Sequence, residues 1–165
     1  KAMLEHHGPV YLRLSRESVG SCHDGDESFQ IGKAKVLLEG SDVTLTVCGT
    51  LLPFVLLAAE ELKKSGINAS VIEFPTVKPF DGETLVQYAE KSGLVLSVEE
   101  NTINGGFGGA VAEYLSENCP VKLKRIGLND TFGESGPYGA LLEKYNLTES
   151  HIIQTVKYCF KLLCR

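Results

Sequence analysis

Two arginines near the start of the chain have a setting suited to binding an anion. Arg13 and Arg16 lie at the end of an alternating apolar segment, in the sequence Val-Tyr-Leu-Arg-Leu-Ser-Arg. A guanidinium group is a good phosphate ligand because its planar set of N–H donors matches the phosphate oxygens. Arginine is also common on protein surfaces. The residue types alone therefore leave an anion-binding role and a plain surface role open.

A glycine run at residues 105–109, Gly-Gly-Phe-Gly-Gly, precedes a predicted helix. Backbone N–H groups at the start of a helix can bind a phosphate. However, the run lacks the spacing Gly-x-Gly-x-x-Gly, and no Lys-Ser/Thr pair follows it as in a P-loop. Glycine also permits a tight turn and close packing of a helix against a sheet. We favour the packing interpretation and keep the phosphate cradle as its alternative.

Two adjacent carboxylates, Glu99 and Glu100, end a predicted strand. In open α/β sheets the carboxyl ends of the strands line the crevice where ligands bind, and paired carboxylates can act as acid and base. Neighbouring residues on a strand point to opposite faces, so these two side chains are poorly placed to share a substrate. A carboxylate also readily bonds a helix N-terminus. A capping or interface role is therefore favoured over catalysis.

The histidines and cysteines lack the spacing of a metal site, a disulfide framework or a nucleophile. The histidines are His6, His7, His23 and His151, and the cysteines are Cys22, Cys48, Cys119, Cys159 and Cys164. The number of cysteines is odd, no Cys-x-x-Cys pair occurs, and the Gly-x-Ser-x-Gly motif is absent. We expect surface histidines and reduced thiols. The sequence thus predicts no metal ligands, no catalytic residues and no self-contained active site.

The composition excludes several classes of partner. The 165 residues are 43% hydrophobic and 22% charged, which is typical of a globular domain. The net charge is −5 and no dense cluster of Lys and Arg occurs, so nucleic-acid binding is not expected. The longest apolar run, residues 50–59, is too short to span a bilayer, and nothing resembles a signal peptide. We expect a cytoplasmic protein with no membrane or nucleic-acid partner.

From residue 29 onward, hydrophobic periodicity predicts strands that alternate with helices. The predicted strands are residues 33–38, 43–48, 69–74, 94–98 and 121–126. The predicted helices are residues 51–65, 82–91, the segment from the glycine run to 118, the segment from 137 to 145, and 149–163. This alternation is typical of parallel βαβ units with helices on both faces. Residues 39–42 are too few for a parallel crossover, so we predict an α/β fold with a mixed five-stranded sheet and one antiparallel edge strand.

The first 28 residues differ in pattern from the rest. Residues 1–7 are typical of the end of a helix, residues 10–14 alternate as a short strand does, and residues 15–27 are polar and rich in Gly, Ser and Asp. The chain begins with Lys1 rather than Met, and we expect it to be part of a longer protein. We therefore place a boundary between residues 1–28 and a main domain at 29–165.

Several motifs, in the same order, resemble the transketolase family. They are residues 8–16 (Gly-Pro-Val-Tyr-Leu-Arg-Leu-Ser-Arg), 29–34 (Phe-Gln-Ile-Gly-Lys-Ala), 76–81 (Thr-Val-Lys-Pro-Phe-Asp), 98–101, 105–108 and 132–136. The first resembles the last strand of the pyrimidine-binding domain, and the second resembles the entry to the C-terminal domain. The resemblance implies that residues 1–28 are the tail of the pyrimidine-binding domain plus a linker. It also implies that residues 29–165 form a three-layer α/β/α transketolase C-terminal domain.

This resemblance implies a part of an enzyme that transfers a two-carbon ketol unit between sugar phosphates in the pentose phosphate pathway. In the family, thiamine diphosphate and Mg bind at a dimer interface, between domains that this chain lacks. The family's Gly-Asp-Gly motif with a downstream Asn is also absent. We therefore expect a scaffold and dimerisation domain that binds no cofactor and has no activity by itself. Its expected partners are the remaining transketolase domains or subunit, within a homodimer.

The resemblance also gives the two arginines a role. The arginine of the family's Leu-Ser-Arg segment contacts the substrate phosphate, and here it is Arg16. The related 1-deoxyxylulose-5-phosphate synthases have a further arginine in that strand, which would be Arg13. The carboxylate and glycine motifs also resemble that synthase, so its C-terminal domain is the alternative identity. A third possibility is a regulatory module that binds a small anion at the carboxyl ends of the strands.

Overall fold

The computed structural model describes residues 1–18, 20, 22–23 and 29–163. The strands are β1 Lys35–Leu38, β2 Val43–Cys48, β3 Ala69–Glu73, β4 Leu94–Thr102 and β5 Lys122–Leu128. The helices are α1 Ala2–Glu5, α2 Leu52–Lys64, α3 Gly82–Ser92, α4 Phe107–Asn118, α5 Tyr138–Lys144 and α6 Glu149–Leu163. Residues 19, 21 and 24–27 of the predicted linker, together with Cys164, lie outside the described residues.

The strands form one five-stranded sheet in the order β1-β3-β2-β4-β5. β3, β2, β4 and β5 are parallel, whereas β1 pairs with β3 in the antiparallel sense at the edge. The direction of β1 follows from the short turn between β1 and β2, which reverses the chain because it is too short for a parallel crossover. Since β2 and β3 are parallel, β1 is antiparallel to both. The predicted mixed sheet with one antiparallel edge strand is confirmed.

Helices cover both faces of the sheet and make three layers. On one face, Leu45 and Leu96 pack in a core with residues of α2 and α6. On the other face, Ile72 and Val95 pack in a second core with residues of α3 and α4. Because both faces are covered, the first five residues of β2 and the first six of β4 are buried, as their apolar sequences predict.

Local signals at α3 fix its ends as the sequence predicts. The Asp81 side chain accepts a hydrogen bond from the backbone N–H of Thr84, which satisfies one of the unpaired donors of the first turn. Gly93 ends the helix with a φ of 65°, a left-handed conformation that glycine adopts without strain. The Asp81 carboxylate also accepts from the backbone N–H of Ala34, 2.9 Å away, and so ties the entry of β1 to this helix.

The predicted strand at residues 10–14 is wrong. These residues belong to no strand, and Tyr11 and Leu14 are 88% and 76% exposed. An alternating sequence becomes a strand only where a neighbouring strand pairs with it. Among the described residues none pairs with this segment, which therefore runs over the surface as irregular chain.

Candidate functional site

The carboxyl ends of β2 and β4 form the crevice where an open α/β sheet offers a ligand site. β3 lies on one side of β2 and β4 lies on the other, so the order of the strands reverses between them. Gly49 and Thr50 follow β2 directly, and Glu99 and Glu100 lie near the end of β4. Residues 13–15 and 17–18 lie beside this edge and line a cleft of about 610 Å³ with the ends of β2 and β3.

Glu99 caps helix α4 from inside the fold. Its side chain is 2% exposed, and its two oxygens accept hydrogen bonds from the backbone N–H groups of Phe107 and Gly108, both 2.8 Å long. Burial raises the pKa of this carboxyl above its ordinary value, although the two amide hydrogen bonds act in the opposite direction. The favoured capping role is therefore confirmed for Glu99.

The glycine run allows this carboxylate to approach the helix. A Cβ atom on Gly108 would lie 2.6 Å from the Ser97 hydroxyl and 2.9 Å from a Glu99 oxygen. A Cβ atom on Gly106 would overlap the Glu99 carboxylate and the backbone carbonyl of Thr102. The packing interpretation of the glycine run is thus correct, because side chains at these positions would displace the cap.

Glu100 points to the other side of the sheet, as the strand geometry predicts. One of its carboxylate oxygens accepts hydrogen bonds from the hydroxyl of Thr50 and, at 3.1 Å, from the hydroxyl of Tyr138. Burial raises the pKa of Tyr138 above its ordinary value, and the charge of Glu100 adds to this, so the phenol remains a donor at neutral pH. This network joins the ends of β2 and β4 to the start of α5.

The structure brings one of the two predicted arginines to the crevice. The Arg13 guanidinium donates a hydrogen bond of 2.9 Å to the backbone carbonyl of Glu100, and Arg13 lines the cleft. Arg16 is exposed and is not among the residues that line the cleft. The two arginines therefore occupy different settings although only two residues separate them.

Comparison with known families agrees with this architecture. A model of the family described as "Transketolase, C-terminal domain" matches residues 32–152, which is most of the chain. The chain belongs to the transketolase C-terminal domain family. The resemblance seen in the motifs is confirmed, and so is the three-layer α/β/α fold that it implies.

Relatives of this transketolase C-terminal domain include subunits and longer enzymes. It is 45% identical over 152 residues to the 6-deoxy-6-sulfo-D-fructose transketolase subunit SqwH of Clostridium sp., covering 92% of this chain and 47% of that protein. It is 39% identical over 159 residues to a putative transketolase C-terminal section of Methanocaldococcus jannaschii, covering 94% and 49%. A 1-deoxy-D-xylulose-5-phosphate synthase of Desulforudis audaxviator is 38% identical, with coverages of 95% and 25%. The chain thus spans about half the length of the first two relatives.

A solved structure has the same fold. A structure titled "Split gene transketolase, inactive beta4 tetramer" superposes with a TM-score of 0.91 at 43% identity, covering 96% of this chain and 52% of that one. The superposition covers almost the whole chain, and therefore includes the sheet and the helices on both of its faces. Proteins similar to this transketolase C-terminal domain therefore include a split gene transketolase and a longer enzyme of which the chain covers a quarter.

The described residues do not fit thiamine diphosphate, the cofactor that the family implies. The amides of Phe107 and Gly108, the phosphate cradle that the glycine run offered, already bind the Glu99 carboxylate, and a second anion there would meet a like charge. Among the described residues, no group of three or more His, Cys, Asp or Glu is placed to hold a metal ion.

His23 and the described cysteines have surroundings that suggest no catalytic role. His23 lies 3.0 Å from a carboxylate oxygen of Glu73 and is near Lys35 at the surface. The four described cysteines are free thiols, and burial, with the charge of Glu99 adding to it, raises the pKa of Cys48 to about 11. Among the described helices, none has the length and apolar character needed to cross a membrane.

Sequence reasoning missed two residues of this crevice, Thr50 and Tyr138. Thr50 has a usable signal, because it follows β2 just as Glu100 follows the buried part of β4, and parallel strands bring such positions together. Tyr138 has no such signal in the sequence. Irregular chain precedes α5, so the periodicity does not indicate which part of the sheet the start of that helix will contact.

Proposed function

We propose that this chain is the C-terminal part of a thiamine-diphosphate-dependent transketolase that transfers a two-carbon ketol unit between sugar phosphates. The observation that supports this most is the contact between the Arg13 segment and the carboxyl end of the sheet, in a member of this family. The complete enzyme would contain the cofactor-binding domains or subunit, work in the cytoplasm in the pentose phosphate pathway, and assemble as a dimer. The chain alone would have no activity.

Within this proposal, Arg16 contacts the terminal phosphate of the sugar. Its side chain is exposed and free to turn towards a substrate, and its planar N–H groups match a tetrahedral anion. One relative is named for a sulfonated sugar, and a terminal sulfonate presents oxygens in a similar arrangement. The substrate class is therefore a sugar with an anionic end group. Arg13 is the second proposed phosphate ligand, and four of its five N–H donors are not used by Glu100.

Reconstitution tests the proposed reaction. The chain is combined with the cofactor-binding portion of its enzyme, thiamine diphosphate and Mg, and is given xylulose 5-phosphate and ribose 5-phosphate. Formation of sedoheptulose 7-phosphate supports a transketolase. If deoxyxylulose 5-phosphate forms instead, from pyruvate and glyceraldehyde 3-phosphate, the synthase assignment replaces it. If neither product forms with phosphorylated or sulfonated sugars, the enzymatic proposal is wrong.

Replacing Arg16 by alanine is expected to raise the KM for a phosphorylated sugar about tenfold to a hundredfold, since a hydrogen bond to a charged group contributes roughly 1.5–3 kcal/mol. The KM for the same sugar without its phosphate should change little. Steady-state kinetics of the reconstituted enzyme measure both values. Arg16→Lys serves as the control, because lysine keeps the positive charge but lacks the planar set of N–H donors. Its KM for the phosphorylated sugar should lie between those of the wild type and Arg16→Ala. An equal rise for both sugars would contradict a phosphate contact.

A regulatory module is the second candidate, favoured by the cleft of about 610 Å³ beside the strand ends. Under this alternative, the chain alone would bind a small anion in a saturable manner. A thermal-shift screen of the chain with nucleotides and sugar phosphates tests it. Curves that do not move at millimolar ligand would remove this candidate and leave the transferase proposal unaffected.

A further inference from the structure

The loop between β4 and α4 contains the one Asn-Gly pair of the sequence, Asn104-Gly105. In such a pair, the amide nitrogen of the glycine can attack the side-chain carbonyl carbon of the asparagine and close a five-membered ring. A side chain on the second residue crowds this approach, and glycine has none. Both residues are exposed, so water reaches the pair. The pair therefore has the composition and the access that this chemistry requires.

The backbone around Gly105 leaves its amide nitrogen available. Among the hydrogen bonds of the described residues, none engages the amide of Gly105. The φ of Gly105 is 72°, a left-handed conformation that glycine adopts without strain. A Cβ atom built on Gly105 would meet nothing within 4 Å, so the peptide group has space to turn during ring closure. The two elements that bound this loop, β4 and α4, both lie within the main domain, so its geometry does not depend on residues 1–28.

Other asparagines of the chain lack this combination of features. The amide of Leu147, which follows Asn146, donates a hydrogen bond of 2.8 Å to the carbonyl of Leu142, so the nitrogen that would attack is engaged. Asn129 is exposed in a loop, but Asp130 follows it and carries a side chain. Asn129 therefore provides an internal comparison in which the exposure is similar and the following residue differs.

We propose that Asn104-Gly105 is a modification site, at which the asparagine is converted to aspartate and isoaspartate through a succinimide. In the first step the Gly105 nitrogen loses its proton and bonds to Cγ of Asn104, and the bond from Cγ to Nδ2 breaks, so that ammonia leaves. In the second step water opens the ring. Addition at Cγ restores the ordinary peptide bond and gives aspartate, whereas addition at the main-chain carbonyl carbon gives isoaspartate, whose main chain runs through Cγ. This proposal does not depend on the transferase function.

The isoaspartate product lengthens the turn that leads into α4. A Cβ atom on Gly106 would already overlap the carbonyl of Thr102 and the carboxylate of Glu99, so this turn has no spare space. An additional main-chain atom before Gly106 must therefore displace it, and with it the amide of Phe107 that donates to Glu99. The modification is thus expected to weaken the cap of α4.

Peptide mass spectrometry of the 165-residue chain tests the site. The folded chain is incubated in ¹⁸O-labelled water at mildly alkaline pH, because ring closure requires loss of the Gly105 amide proton. It is then digested in ordinary water at acidic pH, so that conversion during digestion carries no label. We expect labelled product at Asn104 to form at least about tenfold faster than at Asn129, which corresponds to about 1.4 kcal/mol in the barrier. Equal rates at the two residues, or no label at Asn104, would overturn the proposal.

A methyltransferase that acts on isoaspartate identifies the product. With labelled S-adenosylmethionine, this enzyme should methylate the incubated wild type and leave incubated Asn104→Gln unlabelled, because glutamine would have to close a larger ring. Equal labelling of the two proteins would place the isoaspartate elsewhere and contradict the assignment. Asn104 is the residue to replace, since any side chain at Gly105 would be strained at its positive φ.

Thermal unfolding tests the effect on the cap of α4. Wild-type chain in which Asn104 has been converted should unfold at a lower temperature than fresh chain, and Asn104→Gln incubated in the same way should keep its Tm. Asn104→Asp supplies the charge of the product without the additional main-chain atom and should unfold close to the fresh wild type. An equal decrease in Asn104→Asp, or an unchanged Tm after conversion, would overturn the link to the cap, while the mass measurement decides the site by itself.

Discussion

Replacing Glu99 by alanine is expected to lower the free energy of unfolding by about 3 kcal/mol, because two buried amide donors lose their acceptor. The carboxylate is 2% exposed, and the amides of Phe107 and Gly108 each bond a different oxygen of it. Helix α4 has no side-chain cap at Gly106, so no other group of the capping residue replaces this acceptor. The decrease in the free energy of unfolding should be several times larger than that caused by replacing an exposed residue.

Urea unfolding followed by far-ultraviolet circular dichroism measures this change. Glu117→Ala is the matched control, since Glu117 is an exposed glutamate on the same helix and should change the unfolding free energy by less than about 0.5 kcal/mol. If Glu99→Ala were no more destabilising than Glu117→Ala, the carboxylate would not be acting as the cap of α4.

The arrangement of the sheet was predictable because it depends on local features. Residues 39–42 form a turn too short for a crossover, so β1 had either to pair antiparallel or to lie apart from the sheet, and it pairs antiparallel with β3. The longer strands and helices follow from periodicity, and their ends follow from residues such as Asp81 and Gly93 that stop a helix for steric or hydrogen-bonding reasons. Such signals act within a few residues and do not depend on the rest of the molecule.

The site was only partly predictable, because its contacts join distant parts of the chain. A capping role for one of the two carboxylates followed from a strand that precedes a glycine run. Which of them turns towards α4 depends on the register of β4 against β2, where Cys48 pairs with Glu99. The partner of Glu100 across the crevice, Tyr138, is 38 residues away and arrives there by tertiary packing.

The prediction of a strand at residues 10–14 was wrong because strand formation depends on a pairing partner as well as on the local sequence. Its alternating pattern is a real property of the sequence, but a strand also requires a second backbone with free donors and acceptors. Among the described residues, the hydrogen bond from residues 10–14 to the sheet comes from the guanidinium of Arg13. A side chain that the sequence indicated as an anion ligand thus also serves as a point of attachment, and no pattern of residue types distinguishes these two uses.

Replacing Gly106 by alanine is expected to destabilise the chain by about 3 kcal/mol, because overpacking at a site closed by backbone cannot be relieved by a side-chain rotation. The added Cβ would overlap the carbonyl of Thr102 and the carboxylate of Glu99, so either the turn or the cap must move. Gly109→Ala is the control: a Cβ there meets nothing within 4 Å, and alanine favours a helix over glycine by up to about 1 kcal/mol. Thermal unfolding should therefore move to lower temperature for Gly106→Ala and to slightly higher temperature for Gly109→Ala. Equal shifts in the same direction would mean that glycine in this run serves the flexibility of the turn and not the approach of the Glu99 carboxylate.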